Sequence, residues 1–345
     1  MTQSLQITRP DDWHLHLRDG ANLGDVLVHS ARGFARAIVM PNLAPPVTTV
    51  AAALAYRARI LQARPAQSSF EPLMTLYLTD HTALAEIQRA KESGHIHGVK
   101  LYPAGATTNS DSGVTDIHKC QGVLEKMAEL GLTLLVHGEV SDPEVDIFDR
   151  EAVFIGRVLA PLVRRIPSLR IVLEHVSTKI AVDFVLAQNA GIGATITAHH
   201  LLYNRNALFR GGLRPHYYCR PVLKRETDRE ALVAAATGGN SKFFLGTDSA
   251  PHARACKERD HACAGIFSAP AALELYAEVF EQAGALDRIE AFASFYGADF
   301  YRLPRNRGKL TLQRKAWSVP QSYPFGDTTV VPLRAGDTVN WSIAG

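Results

Sequence analysis

Short runs of β-branched and aromatic residues alternate along this chain with longer stretches whose apolar residues recur at helical spacing, a pattern that predicts strands and helices in turn. Eight strands are expected, at residues 13–17, 35–40, 72–78, 98–102, 133–137, 170–175, 192–198 and 242–247. Helices are expected between them at 48–64, 82–93, 116–130, 144–165, 179–190 and 229–237, and two more at 269–282 and 287–297. Eight strands separated by helices over about 250 residues predict an α/β fold, a (β/α)8 TIM-like barrel. An open doubly wound sheet is the alternative. From about residue 301 Pro, Gly and Arg punctuate short β-prone pieces such as 329–333. They predict a small C-terminal appendage (301–345) on a barrel spanning about 10–300, within one domain covering 1–345. The loop 105–113, GATTNSDSG, is small, polar and follows a strand, as a lid would.

Composition narrows the class. With 345 residues, 46% of them hydrophobic and 21% charged, the chain can bury a large core. The 37 basic and 34 acidic residues are interspersed, which argues against a nucleic-acid partner. The opening MTQSLQITRPDDWHLHL lacks a basic stretch followed by an apolar core, and the apolar run 153–163 is broken by Arg157. No signal peptide and no membrane partner are expected. The four cysteines form no CxxC pair and read as reduced thiols, consistent with a cytoplasmic location.

In barrel enzymes the functional side chains project from the C-terminal ends of the strands. His14 and His16 fall two apart on the first expected strand and so face one side. Lys100 lies on the fourth, His137 closes the fifth, His175 closes the sixth and Asp248 follows the eighth. Imidazole and carboxylate suit zinc, and four histidines with an aspartate exceed what one ion with an open position requires, so two ions fit better. An ammonium beside such ions would be repelled. A neutral Lys100 amine could instead react with carbon dioxide, giving a carbamate (N6-carboxylysine) able to bridge two metals. Singly, each residue has a plainer reading: a satisfied polar group, a surface lysine, a turn. Their joint placement at strand ends favours the metal site.

The local sequences DWHLHLRDG (12–20), MPNL (40–43), GVKLYP (98–103), VHGE (136–139), LEHVST (173–178) and FLGTDSAPH (244–252) resemble the dihydroorotases of the amidohydrolase superfamily, most of all their compact class II bacterial form. The motifs span residues 12–270. The resemblance implies a reversible cyclisation of N-carbamoyl-L-aspartate to (S)-dihydroorotate in pyrimidine biosynthesis. It implies one zinc on His14, His16 and Asp248, another on His137 and His175, and carbamylated Lys100 with a hydroxide between them. It also implies that Arg18, Asn42 and His252 hold the substrate carboxylate, that main-chain groups near Arg220 and Ala264 touch the ring, and that the loop bearing Thr107 and Thr108 closes over it. A homodimer is implied as well. The paired donors of a guanidinium match a carboxylate, which suits Arg18 to an acidic substrate if the first strand persists that far. Asp248 is the expected proton carrier. The role of the Arg220 side chain stays open.

His199 and His200 follow the seventh expected strand, but the ligand set is complete without them, so a supporting or structural role is expected. The spacing of Cys256, His261 and Cys263 matches no usual zinc pattern and reads as a loop against the barrel mouth. Phe243 and Phe244 read as buried strand positions. Alternative readings are a related cyclic amidohydrolase of hydantoinase or allantoinase type, and an inactive structural relative; Arg18 and Asn42 favour a ring bearing a carboxylate.

Overall fold

The computed structural model describes residues 4–344. Strand β1 (Ser4–Thr8) stands apart from the barrel, whose strands are β2 (Asp11–Leu15), β3 (Arg36–Val39), β4 (Glu71–Tyr77), β5 (Ile96–Leu101), β6 (Thr133–Val136), β7 (Ile171–Leu173), β8 (Ile192–Ile196) and β9 (Phe243–Leu245). These eight run parallel in the order β2-β3-β4-β5-β6-β7-β8-β9. Just past β9 the amide of Asp248 donates to His14 O at 2.9 Å and that of His16 to Ser249 O at 3.1 Å, which joins the last strand to the first. The closed (β/α)8 barrel replaces the open-sheet alternative. No helix among the described residues is long and apolar enough to cross a membrane.

Near-continuous burial along the strands follows from burial on both faces. One apolar layer, including Trp13, Ile38, Leu73, Leu135, Val172 and Phe244, fills the barrel interior, and a larger one lies between strands and helices. Side chains alternate, so the inward series continues from Leu135 to His137, from Val172 to Glu174 and from Phe244 through Gly246 to Asp248. The apolar floor thus becomes a polar mouth within one strand step. A Cβ on Gly246 would lie 2.7 Å from Thr195 Cβ and 3.1 Å from His14 Cβ, so the chain approaches its neighbours here without a side chain.

Several boundaries differ from expectation. β2 starts two residues earlier and ends at Leu15, before His16 and Arg18. The helix expected at 144–165 begins at Arg150, because the carboxylates of Asp142 and Asp146 accept from the amides of Glu144 and Phe148 and turn the chain first. It also contains a π-helical turn, Ile155–Leu159. β1 was not anticipated: it pairs antiparallel with β10 (Lys309–Gln313), which also pairs with Ser342–Ile343. Thr328–Val330, near the expected 329–333 piece, pairs with Tyr323–Phe325.

Candidate active site

Three site residues hold positive φ just beyond strand ends: Arg18 (62°), His175 (40°) and Asp248 (44°). Such backbone is unfavourable for side chains with a Cβ, and its concentration at one mouth marks a place where geometry is imposed by the surroundings. Arg18 therefore reaches the pocket by a turn of the chain and not by continuation of the strand. One pocket is lined by His14, His16, Arg18, Asn42, Tyr102, Thr107, Thr108, His137, His175, Arg220, Asp248, Ala250, Ala264 and Gly265. His252 joins it through Arg18: its Nε2 lies 2.9 Å from both Arg18 Nη2 and Ala264 O, one of which it serves at a time. Arg18 Nε donates to Pro251 O at 2.8 Å, which fixes the guanidinium.

The imidazoles are oriented from behind. His14 Nδ1 lies 2.9 Å from Glu174 Oε2, which also accepts from Thr195 Oγ1 at 2.6 Å. His16 Nδ1 lies 2.8 Å from Asn42 Oδ1. A carboxylate or amide oxygen can only accept, so both rings carry their proton on Nδ1 and turn the Nε2 lone pair forward. Those two Nε2 atoms are 3.4 Å apart and lie 3.4 and 3.0 Å from Asp248 Oδ1. His137 is reversed, with Nε2 3.1 Å from Glu139 Oε2, which leaves Nδ1 free. The His175 ring centroid is 4.9 Å from both the His14 and the His137 centroids.

Lys100 is 0% exposed, and its amine has no hydrogen-bond partner among the described residues. Burial pushes that amine down to about 8, against the pull of Glu174 and Asp248, so an appreciable neutral fraction exists near neutral pH. Burial likewise lowers His16 to about 4 and holds His137 and His175 below the ordinary imidazole range. Burial alone would raise Asp248, and what lowers it well below the usual carboxylate range is positive charge placed among His16, His14 and His175, which a cation shared by these rings would supply. Neutral imidazoles and an ionised carboxylate are the protonation states that metal ligands need. His14, His16 and Asp248 converge within 4.8 Å, so the donor set fits a divalent cation.

The loop 105–113 lies folded over the pocket. Thr108 Oγ1 donates to Ala264 O (3.4 Å), Asn42 Nδ2 to Thr108 O (3.3 Å) and Asn109 Nδ2 to Asn42 O (3.0 Å). Its far wall is the segment 257–265, held by the buried amine of Lys257, which donates to the carbonyls of Tyr218, Cys263 and Gly265. Cys263 belongs to this segment, and its amide donates to the carbonyl of Cys256 just before it. His199, His200 and Cys219 form a second convergent group, also within 4.8 Å. There the His200 nitrogens are engaged by Thr197 Oγ1 and Pro221 O, and Cys219 Sγ by Pro221 O, whereas both His199 nitrogens are buried without a hydrogen-bond partner among the described residues.

Sequence reading overlooked Glu139, Glu174, Asp12 and Lys257. The first three lie inside motifs already singled out, Glu139 two after His137, Glu174 one before His175 and Asp12 two before His14, and that adjacency was the available signal. Asp12 accepts from the amides of His14 and Thr247 and from the Thr247 hydroxyl, tying the first strand to the last.

The amidohydrolase family model matches residues 11–331. A dihydroorotase of Cupriavidus necator is 67% identical over 341 residues, which cover 99% of each chain. The crystal structure of dihydroorotase from Campylobacter jejuni is similar with a TM-score of 0.92 and 37% identity, covering 100% of this chain and 98% of that one. That of dihydroorotase from Saccharomyces cerevisiae, in complex with 5-fluoroorotic acid, has a TM-score of 0.90 and 32% identity, covering 99% and 98%. By sequence over its whole length and by fold, this chain belongs to the amidohydrolase family and, within it, to the dihydroorotases.

Proposed function

We propose that the chain interconverts N-carbamoyl-L-aspartate and (S)-dihydroorotate, the ring closure of pyrimidine biosynthesis, at a centre of two zinc ions. His14, His16 and Asp248 would hold one cation and His137 and His175 the other, with Lys100, carbamylated by carbon dioxide, serving both. Such cations supply a nucleophile from water near neutral pH and polarise a carbonyl. The observation that carries the reading is a single pocket in which the four histidines and Asp248 face an arginine fixed from behind.

The chain's own groups do the rest. Arg18 presents its free N–H face to the substrate carboxylate, Asn42 and His252 add hydrogen bonds beside it, and main-chain groups of Arg220 and Ala264 meet the ring. The carboxylate-bearing ring of 5-fluoroorotic acid in the yeast relative supports an acid of this shape. Hydrolysis adds water to the ring amide carbonyl and breaks its bond to the ring nitrogen, which must gain the proton that the water loses. Asp248 carries that proton, and in the synthetic direction returns it. Thr107 and Thr108, on the folded loop, exclude bulk water while this happens.

The test is dihydroorotate turnover followed by ultraviolet absorbance before and after chelation, with metal counted per chain and Lys100 weighed by mass spectrometry. Activity lost on chelation and restored with two zinc ions, together with a carbamate on Lys100, is expected. Turnover of hydantoin in preference to dihydroorotate would refute the substrate. We further propose a cytoplasmic homodimer, to be checked by sedimentation.

A further inference from the structure

Tyr102 is 2% exposed, lines the catalytic pocket, and its hydroxyl is buried with no hydrogen-bond partner among the described residues. A buried hydroxyl left unpaired is unfavourable, and in a pocket it marks a place where a ligand supplies the missing acceptor. The ring is held by other means. It stacks on Tyr77 with centroids 5.1 Å apart and planes at 29°. The hydroxyl is therefore free of structural duty while the ring is not.

Position decides which substrate atom it meets. Tyr102 follows Lys100 by two residues, one past the end of β5, and lines the pocket about one strand step, roughly 6–7 Å, nearer the mouth. Its ring centroid is 6.1 Å from that of His137. That is the wall of Lys100 and His137, whereas Arg18, Asn42 and His252, assigned to the carboxylate, follow the first, second and last barrel strands. Tyr102 thus borders the reacting end of the ring.

We propose that the Tyr102 hydroxyl donates a hydrogen bond to the carbonyl oxygen of the amide under attack, strengthening as that oxygen gains charge. This makes Tyr102 a catalytic residue, and it rests on the dihydroorotase reading above. A donor aimed at developing charge acts on kcat more than on KM, and because forward and reverse reactions share one transition state, both directions lose equally.

The test is Tyr102→Phe, which removes one oxygen and keeps the stacked ring, with Tyr77→Phe as control. The Tyr77 hydroxyl donates to Asn109 O on the folded loop and so serves the lid. For Y102F, kcat is expected to fall about 100-fold in both directions, with KM changed less than about threefold and metal content unchanged. Y77F is expected to move KM alone. A Y102F kcat within twofold of the parent, or a raised KM at unchanged kcat, overturns the proposal. Should Y102F fold poorly or lose metal, 3,5-difluorotyrosine at position 102 keeps both ring and hydroxyl but ionises far more readily. The rate must then fall along an alkaline limb that the parent lacks, and an identical pH profile overturns the proposal. Absence of dihydroorotate turnover in the parent itself would instead refute the underlying reading.

Discussion

Replacing Lys257 with Met tests how the wall of the pocket is held. The Lys257 side chain is 3% exposed and its amine donates to Tyr218 O at 2.8 Å, Cys263 O at 2.9 Å and Gly265 O at 2.7 Å. Burial pushes the amine down to about 8, which leaves it charged at neutral pH. Hydrogen bonds from a charged donor contribute about 1.5–3 kcal/mol each, so three amount to roughly 4–9 kcal/mol. Burying the ammonium costs several kcal/mol, and methionine is spared that cost. A net loss of about 2–4 kcal/mol remains, together with three buried carbonyls left short of a donor. The loss falls on one surface segment, so residues 254–265 are expected to open locally while the barrel persists. Limited proteolysis under native conditions should show new cleavage within that segment. Because Ala264 O accepts from Thr108 and lies 2.9 Å from His252 Nε2, KM for dihydroorotate should rise while the global denaturation midpoint moves little. An unchanged cleavage pattern with KM within twofold of the parent would refute the assignment of Lys257 as the clasp.

Glu174→Gln removes an obligate acceptor behind His14 and should weaken zinc binding about 10- to 100-fold in a chelator competition, with secondary structure by circular dichroism intact. Arg18→Met should raise KM for dihydroorotate about 100-fold, equivalent to about 2.7 kcal/mol, with a smaller effect on kcat. His29 packs edge-on against Phe267 and Tyr323, and burial, aided by Arg32, lowers it to about 4. The unfolded chain accepts a proton below pH 6.5 that the folded one refuses until about 4. The associated stability is thus complete above pH 6.5 and is lost as pH falls through that window, by about 2 kcal/mol near pH 5. His29→Gln should flatten the acid limb of denaturant-melt stability between those limits, and an unaltered slope would exclude His29 as its source.

The barrel was legible because its strands are buried on both faces and read as apolar runs broken by helices. His14, Lys100, His137, His175 and Asp248 were legible because each stands at or near a predicted strand end, where side-chain alternation decides what faces the axis. Glu139 and Glu174 were not, since an acid in sequence reads as a solvated group until a histidine nitrogen is found 3.1 or 2.9 Å away. Lys257 looked like one more charge in a polar loop, and only the convergence of three carbonyls distinguishes it. The late start of the helix at Arg150 depended on aspartate side chains competing for backbone amides, and the strand prediction did not foresee that Arg18 turns into the left-handed region. In each case the deciding interaction links atoms whose proximity local periodicity does not encode.

The pairing of β1 with β10 sets Ser4 against Gln313 and Thr8 against Lys309, across some three hundred intervening residues. During synthesis β1 must wait, unzipped, until the residues that separate it from β10 have emerged. Its edge is finished only after the barrel strands, so a nascent chain halted shortly after Phe300 would present an orphan strand to chaperones and proteases even with every barrel strand already made.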